Sequence, residues 1–157
     1  MRIGVIGLGR LGYPMACMFS QNGHAVYGYD SSVERTQALR SGWTSPEPMC
    51  HFDGVELVDS IEALVAATDL AFVCVNTPES EPGVLDCGRV ADVVRQIDRA
   101  SSGGYTIAIC STVMPGGCRS LREELGASDV VASPVWIALG SVVHDLTHPP
   151  VLLLGCD

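Results

Sequence analysis

The chain contains no lysine, and its nine basic residues, all arginines, are outnumbered by 18 acidic ones. The formal net charge of −9 indicates an acidic surface, which repels phosphate backbones and argues against nucleic acid as a partner. The lack of lysine also excludes lysine-dependent catalysis by these residues. Because cations are scarce, a nucleotide bound here would have to be held mainly by backbone N–H groups.

Paired cysteines and long apolar runs are missing as well. None of the seven cysteines forms a C-x-x-C pair, and an odd number without regular spacing is typical of a reducing compartment. No stretch approaches the roughly 20 apolar residues that span a bilayer. The N-terminal run IGVIG is broken by glycines and lacks the long apolar segment of a signal peptide. These absences predict a cytoplasmic protein without a membrane partner.

What is present is an alternation of apolar strands and helical segments over 157 residues, which predicts a single domain. LAFVCV (70–75) and YTIAIC (105–110) are continuously apolar, as in parallel strands that are buried on both faces. The pattern predicts an α/β fold of Rossmann type, with a doubly wound, mostly parallel sheet and helices on both faces. The other strands are predicted over 1–7, 24–30, 129–133 and 151–155, with helices over 10–23, 31–42, 59–68, 86–97 and 117–125. Residues 43–58, which contain Pro46 and Pro48, and residues 76–86 are predicted to be irregular.

The loop after the first strand carries a possible dinucleotide-binding motif. It reads Gly7, Leu8, Gly9, Arg10, Leu11 and Gly12, which is G-x-G-x-x-G. The motif alone is a weak signal, but here it has a strand before it, and a helix and a second strand after it. In such loops the first glycine permits a tight turn, the second admits the pyrophosphate, and the third allows close packing of helix and strand.

Asp30 ends the second strand and lies 18 residues after Gly12. A carboxylate at that position can accept hydrogen bonds from both ribose hydroxyls of adenosine and would repel a 2′-phosphate, so NAD is the predicted cofactor. The alternative is that Asp30 only caps the next helix. Arg35 could stack near the adenine or reach a ribose, or it could be a solvated helix residue.

At this point the sequence resembles known families. GLGRLGYPMA with GHAVYGYD fits both the 3-hydroxyisobutyrate/6-phosphogluconate dehydrogenases and the UDP-glucose/GDP-mannose dehydrogenases. VCVNTP followed by GVLD, the segment STVMPGG, and Glu47–Pro48 resemble only the second family. SPVWIALGSVVHDLTHPPVLLLG is similar to that family's N-P-E-F-L-x-E-G-x-A-x-x-D-x-x-x-P-x-x-x-x-G stretch. The first family also needs a catalytic lysine, which this chain lacks.

The resemblance implies further cofactor-binding residues. In the second family, NAD lies across the glycine loop, the acid, the V-N-T-P loop and the S-T-V loop. Carried over to this sequence, the cofactor-binding residues are Gly7 to Gly12, Asp30, Arg35, Val75, Asn76, Thr77, Pro78, Ser111 and Thr112. The alternative is that Ser111 and Thr112 only cap local turns and do not bind the cofactor.

The resemblance also implies an activity, the oxidation of a sugar-nucleotide alcohol to a uronate by two NAD. The thiol nucleophile and a lysine lie in later regions of the family's proteins, so the chain is expected to be an NAD-binding domain without the C-terminal substrate domain. Thr112 would orient a catalytic water. The glutamate that works with it in the family is replaced by Val135, which cannot relay a proton. Trp136 occupies the position of the phenylalanine in the family's stretch, and Leu139 occupies the position of its second glutamate.

Two alternatives stay open. The first is a catalytically inactive nucleotide-binding or regulatory module, favoured by Val135 and the missing thiol. The second concerns the partner that covers the apolar stretch near the C-terminal end of the chain. This partner would be a C-terminal sugar-nucleotide domain or a second copy in a homodimer. A metal site at His144 and His148 is not expected, because no third ligand is evident and Pro149 and Pro150 disfavour a regular helix there. Asp145 is matched to a structural aspartate of the family.

Overall fold

A computed structural model of the chain describes residues 1–43, 52–125, 128–138 and 140–155. Four residues that the sequence singled out lie outside the described residues: Pro46, Glu47, Pro48 and Leu139. Within these ranges the strands are β1 (Arg2–Ile6), β2 (Ala25–Tyr29), β3 (Val55–Leu57), β4 (Leu70–Val73), β5 (Glu79–Glu81), β6 (Val84–Leu85), β7 (Tyr105–Ile109) and β8 (Ser128–Ala132). The helices in the same ranges are α1 (Gly12–Gln21), α2 (Val33–Arg40), α3 (Ile61–Ala67), α4 (Gly88–Ala100), α5 (Gly117–Glu124) and α6 (Val142–Thr147).

Six strands form one parallel sheet in the order β3-β2-β1-β4-β7-β8. The chain winds outward from β1 in one direction and from β4 in the other, so the strand order reverses between them. The predicted doubly wound Rossmann-type sheet is confirmed. In such sheets ligands bind beyond the carboxyl ends of the strands at the point of reversal, which here lies between β1 and β4.

Helices cover both faces of the sheet, as the continuous apolar strands require. On one face, Leu64 of α3 and Ile97 of α4 pack with β4 and β7 in one buried cluster. On the other face, Tyr13 and Cys17 of α1 pack with Val143 of α6 and with β1 in a second cluster. Because both faces are covered, the described loops at the ends of the strands are where a ligand can bind. No helix in the described parts of the chain is long and apolar enough to cross a bilayer.

Two predictions about strands were wrong. Residues 55–57 form β3, parallel to β2, although the whole of 43–58 was expected to be irregular. A strand of three residues is too short to show a periodicity, and it is stabilised by its neighbour rather than by local propensity. Residues 151–155 do not form a last strand, because the only ladder contact described there is an antiparallel bridge between Gly155 and Ala132.

Two further elements differ from expectation. The segment 76–86, expected to be a loop, contains the hairpin β5–β6, which turns at Gly83 with φ of 78°. His144 lies within α6 although the two prolines argued against a helix there. They come after the last helical residue, Thr147, and so end the helix without entering it.

Candidate functional site

The three glycines of the first loop occupy different environments at the point where the strand order reverses. Gly7 has a φ of 89°, and a Cβ there would lie 2.7 Å from the carbonyl oxygen of Cys74. A Cβ on Gly12 would lie 1.9 Å from the carbonyl oxygen of Gly7. A Cβ on Gly9 would meet no described atom within 4 Å. Gly7 and Gly12 are therefore required for the turn itself, whereas Gly9 leaves open space above the loop.

The other loop residues contribute through the backbone or face solvent. Leu8 is fully buried, and its side chain packs against Gly28 of β2. Arg10 is exposed, and Leu11 is the N-cap residue of α1 without a side-chain capping bond. The first turn of α1 contains no acidic residue. The Tyr13 N–H donates to the Gly9 carbonyl oxygen and Pro14 has no N–H, so it is mainly the helix dipole that presents a partial positive charge to a phosphate here.

Asp30 directly succeeds β2 and lies beside the glycine loop. Its Oδ2 accepts a hydrogen bond from the Leu8 N–H at 2.8 Å, and its Oδ1 accepts one from the Ser32 N–H at 2.9 Å. Asp30 does not itself cap α2, because Ser32 is the N-cap and its own hydroxyl accepts the Arg35 N–H at 3.1 Å. A carboxylate has about four acceptor sites, so two remain for ribose hydroxyls.

Arg35 has partners that the sequence did not indicate. Its Nε donates a 2.8 Å hydrogen bond to the Leu8 carbonyl oxygen. Its guanidinium carbon lies 4.0 Å from the ring centroid of Trp43 and 5.4 Å from that of Tyr13. Arg35 is half-buried and therefore does not match the solvated alternative.

The loops after β4 and β7 are tied to each other. The Ser111 hydroxyl donates to the Val75 carbonyl oxygen at 2.7 Å, and the Ser111 N–H donates to Val73. Ser111 therefore bridges two loops that are 36 residues apart in the chain, rather than capping a local turn. Its oxygen keeps free lone pairs, but its proton is already used.

A cleft of about 470 Å³ lies between the glycine loop and α4. Gly7, Gly9, Asp30, Val75 and Asn76 line it, which brings five of the predicted residues together. Thr77 and Pro78 lie further along the loop, where the Pro78 carbonyl accepts a hydrogen bond from the Asp86 N–H at 2.7 Å.

Sequence reasoning missed the wall of this cleft that α4 provides. Arg89, Asp92 and Val93, all near the start of α4, line it. Arg89 is the one cationic side chain among the described lining residues. The available signal was position, because α4 starts soon after the loop at the end of β4, at the edge of the sheet where ligands bind.

Thr112 and Val135 line a second cavity of about 560 Å³, beyond Ser111. Thr112 is exposed and Val135 is half-buried. Arg119 and Arg122 of α5 also line this cavity, and Arg122 donates to the Val130 carbonyl oxygen. Thr112, the predicted catalytic residue, and the apolar Val135 therefore line the same cavity.

Two cysteines lie beneath the loops. Cys74 and Cys110 come directly after β4 and β7, and Cys74 also lines the first cleft. A hydrogen bond with Cys110, together with burial, raises the pKa of the Cys74 thiol. A raised pKa disfavours the thiolate, which is the reactive form of cysteine.

The histidines and Asp145 stay outside this site. His144 and His148 stack with ring centroids 5.0 Å apart. Across the described ranges, no group of three or more His, Cys, Asp and Glu side chains is placed to hold a metal ion. Asp145 accepts hydrogen bonds from the Ala138 N–H and the Ser141 hydroxyl, which lower its pKa. It therefore holds the backbone at Ala138 and the start of α6 together.

Comparison with known proteins points to one family. A sequence model described as the UDP-glucose/GDP-mannose dehydrogenase family, NAD binding domain, matches residues 1–157. The GDP-mannose 6-dehydrogenase of Pseudomonas aeruginosa is 28% identical, over 99% of this chain and 41% of that protein. The UDP-glucose 6-dehydrogenase of Rhizobium meliloti is 28% identical, over 100% of this chain and 40% of that protein. The solved UDP-glucose dehydrogenase of Pyrobaculum islandicum matches with a TM-score of 0.85 and 29% identity, over 98% of this chain and 40% of that one. The chain thus spans about two-fifths of the length of these relatives.

Proposed function

The chain belongs to the UDP-glucose/GDP-mannose dehydrogenase family as its NAD-binding domain, and we propose that it serves a nucleotide-sugar dehydrogenase by binding NAD in the 470 Å³ cleft. The observation that carries this proposal is the open space above Gly9, at the start of α1 and beside Asp30. A side chain at that position would fill the space that a pyrophosphate needs. The residues present therefore fit the cofactor.

Each part of the cofactor has a matching group in the cleft. The Gly9 N–H and the helix dipole at the start of α1 would bind the pyrophosphate, and Arg89 would add a positive charge in an otherwise acidic chain. The two remaining acceptor sites of Asp30 would bind the adenosine ribose hydroxyls, which favours NAD over NADP. Asn76, which also lines the cleft, would contact the cofactor through its amide.

The proposed reaction is oxidation of a sugar-nucleotide alcohol to a uronate. When bound, NAD supplies the acceptor for the hydride. Thr112 would orient a water in the second cavity, and Ser111 would hold the loops after β4 and β7 at a fixed separation. The substrate itself would be bound only together with a C-terminal domain.

The second candidate function is a catalytically inactive nucleotide-binding or regulatory module. The specific observation that favours it is Val135, which lines the cavity of Thr112 without a group that could accept a proton. Both candidates predict NAD binding, and they differ in turnover.

We also propose a partner for the apolar end surface, defined as Trp136 and Val151–Leu154. These five side chains are 44% to 76% exposed, and an exposed apolar patch of this kind usually marks an interaction site. The proposed partner is the substrate domain that completes the enzyme, or a second copy of the chain. Sedimentation of the purified chain over a range of concentrations distinguishes a dimer from a monomer.

The first experiment is calorimetric titration with NAD and with NADP, using Asp30→Asn and, as a control for the loss of one charge, Asp129→Asn on β8. Saturable NAD binding that is stronger than NADP binding, and that weakens about tenfold in Asp30→Asn only, supports the proposal. Absence of NAD binding by the folded wild-type chain refutes it.

Turnover is tested by NADH formation with UDP-glucose and with GDP-mannose, in the longest polypeptide that carries this chain. Turnover by the wild-type protein rules out the inactive module. Binding of NAD without turnover supports that module, and a gain of turnover in Val135→Glu would trace the loss to this one position.

A further inference from the structure

A pair of free cysteines lies side by side at the ends of neighbouring strands. Cys74 directly follows Val73 of β4, and Cys110 directly follows Ile109 of β7. Val73 and Ile109 are partners in the parallel register of these strands, and the Cys110 N–H donates to the Val73 carbonyl oxygen at 3.0 Å. Cys74 and Cys110 therefore lie opposite each other in the continuation of one strand pair.

The two thiols point to the same side of the sheet. Val73 and Ile109 both belong to the buried cluster on the face of α3 and α4, so the residues that follow them face α1. The Sγ atom of Cys74 lies 3.9 Å from the Sδ atom of Met15 in α1, which agrees with this direction. The thiols of Cys74 and Cys110 are also hydrogen-bonded to each other.

This arrangement meets the geometric requirement for a disulfide. Neighbouring strands lie about 4.8 Å apart, within the Cα separation of about 4.4–6.8 Å that disulfides span. The Cβ atoms of a disulfide are only about 3.8 Å apart, so the ends of β4 and β7 would have to approach each other slightly. A bond formed under such strain is easily reduced again and is typical of labile, regulatory disulfides.

Both thiols border cavities that small molecules can enter. Cys74 lines the 470 Å³ cleft, and Cys110 lines the 560 Å³ cavity beside Thr112. The hydrogen bonds of Cys110 with Cys74 and with Ser133 lower the pKa of its thiol, although burial opposes them. Cys110 is therefore the thiol that ionises first, and Cys74, whose pKa is raised, is suited to be its resolving partner.

We infer that Cys74 and Cys110 form a redox-active pair, which hydrogen peroxide closes to a disulfide and a small thiol reopens, and that the closed form binds NAD more weakly. The effect on NAD rests on the proposed function. Its physical cause is the movement of the strand ends. Val75 and Asn76 line the cleft and directly follow Cys74, so a shift at the end of β4 moves the wall of the cleft.

The oxidation has two steps. The Cys110 thiolate attacks one oxygen of the peroxide, the O–O bond breaks, and the released hydroxide takes up a proton to give water, which leaves a sulfenic acid on Cys110. The Cys74 sulfur then attacks the Cys110 sulfur, the S–O bond breaks, and the hydroxide leaves as water with the proton of Cys74. Two thiols are thereby oxidised to one disulfide, and one peroxide is reduced to two waters.

The disulfide is tested in the purified, reduced chain, with Cys110→Ser as the variant that cannot close it and Cys118→Ser as the control. Cys118 is a half-buried cysteine of α5 outside the pair. After peroxide treatment and alkylation of the remaining thiols, tandem mass spectrometry of chymotryptic peptides locates the bond. Thermal unfolding checks the fold of each variant.

We expect a bond between Cys74 and Cys110 in the wild-type chain and in Cys118→Ser, its loss with dithiothreitol, and no such bond in Cys110→Ser. Retention of both free thiols in the oxidised wild-type chain would overturn the inference. Pairing of either thiol with a different cysteine would overturn it as well.

Calorimetry then compares NAD binding before and after oxidation. The wild-type chain and Cys118→Ser are expected to lose affinity about threefold or more and to regain it with dithiothreitol, while Cys110→Ser is unaffected by peroxide. Because Cys110→Ser keeps Met15 and the other cysteines, an effect of their oxidation would appear in this variant too. Unchanged NAD affinity of the disulfide form would overturn the coupling to the cleft.

A last readout needs no NAD. The amide resonance of Asn76 is expected to shift on oxidation of the wild-type chain and to stay in place in Cys110→Ser. An Asn76 amide that does not move despite a mapped disulfide would refute the link to the cleft. Failure of the reduced wild-type chain to bind NAD refutes the proposed function instead, and the mapped bond and the Asn76 shift still decide the redox pair.

Discussion

At the scale of single residues, the same residue type serves different purposes within one loop. Gly7 and Gly12 are needed because a Cβ at either position would collide with backbone atoms, while Gly9 is needed only if a ligand approaches. Fold and binding are thus carried by different glycines of one motif. A substitution can therefore separate them.

Gly9→Ala is expected to fold with little change in the midpoint of thermal unfolding and to bind NAD about tenfold more weakly, because the methyl group enters the space above the loop. Gly12→Ala is expected to be destabilised by at least about 1–3 kcal/mol, because its Cβ would lie 1.9 Å from the Gly7 oxygen. Calorimetry and thermal unfolding measure the two effects. Normal NAD affinity in Gly9→Ala would contradict the assigned approach of the cofactor.

At the scale of elements, a helix packs more closely against the sheet where a strand carries glycine. Gly4 in β1 lies under Leu64 of α3, and a Cβ on Gly4 would approach Leu64 Cδ2 to 2.4 Å. Leu64 is fully buried, so it has little room to move. The glycine thus sets the distance between α3 and the middle of the sheet.

Gly4→Ala is expected to cost about 1–3 kcal/mol through overpacking, and Leu64→Ala about 2–5 kcal/mol through the cavity it leaves. The double variant is expected to be more stable than the sum of the two losses implies, because the new methyl group partly fills the cavity. Urea unfolding of all four proteins measures the coupling. Strict additivity would mean that the two residues are not in contact in the way described.

At the scale of the whole molecule, an excess of acidic residues is combined with many carboxylates that are stabilised as anions. Asp69 accepts hydrogen bonds from the side chain and the N–H of Arg2, and Arg95 pairs with Glu124. These contacts lower the pKa of Asp69 and of Glu124, and hydrogen bonds from Ala138 and Ser141 do the same for Asp145. The lowered values link folding to pH.

A carboxylate with a lowered pKa in the folded state binds fewer protons there than in the unfolded state. Its contribution is complete above the unfolded pKa of about 4 and is lost as the pH falls toward the folded value. The free energy of unfolding is therefore expected to fall between about pH 5 and pH 3 and to be nearly constant around pH 7.

Urea unfolding at a series of pH values measures this dependence. Asp145→Asn is expected to reduce the slope below about pH 5 relative to Asp129→Asn, which removes an equal charge from an exposed carboxylate without a described hydrogen bond. A slope that is the same in the two variants would contradict the stabilising role of the Asp145 contacts.

Predictability differed between local and distant features of the site. The turn at Gly7 and the start of α2 were predictable, because each depends on a turn or on a cap within a few residues. Strand β3 and hairpin β5–β6 were not, since strands of two or three residues show no periodicity. The α4 wall with Arg89 was missed because its sequence looks like an ordinary solvated helix start.

The sequence by itself determined the alternation of strands and helices, the turn at Gly7, and the family to which the chain belongs, because these depend on backbone conformation and on residue spacing along the chain. The tertiary structure alone decided what Leu8, Arg35 and Ser111 contact, since their partners lie 22 to 36 residues away. The physical reason is that the strand order β3-β2-β1-β4-β7-β8 brings separate loops to one edge of the sheet. Side chains at that edge then satisfy whichever backbone groups they meet.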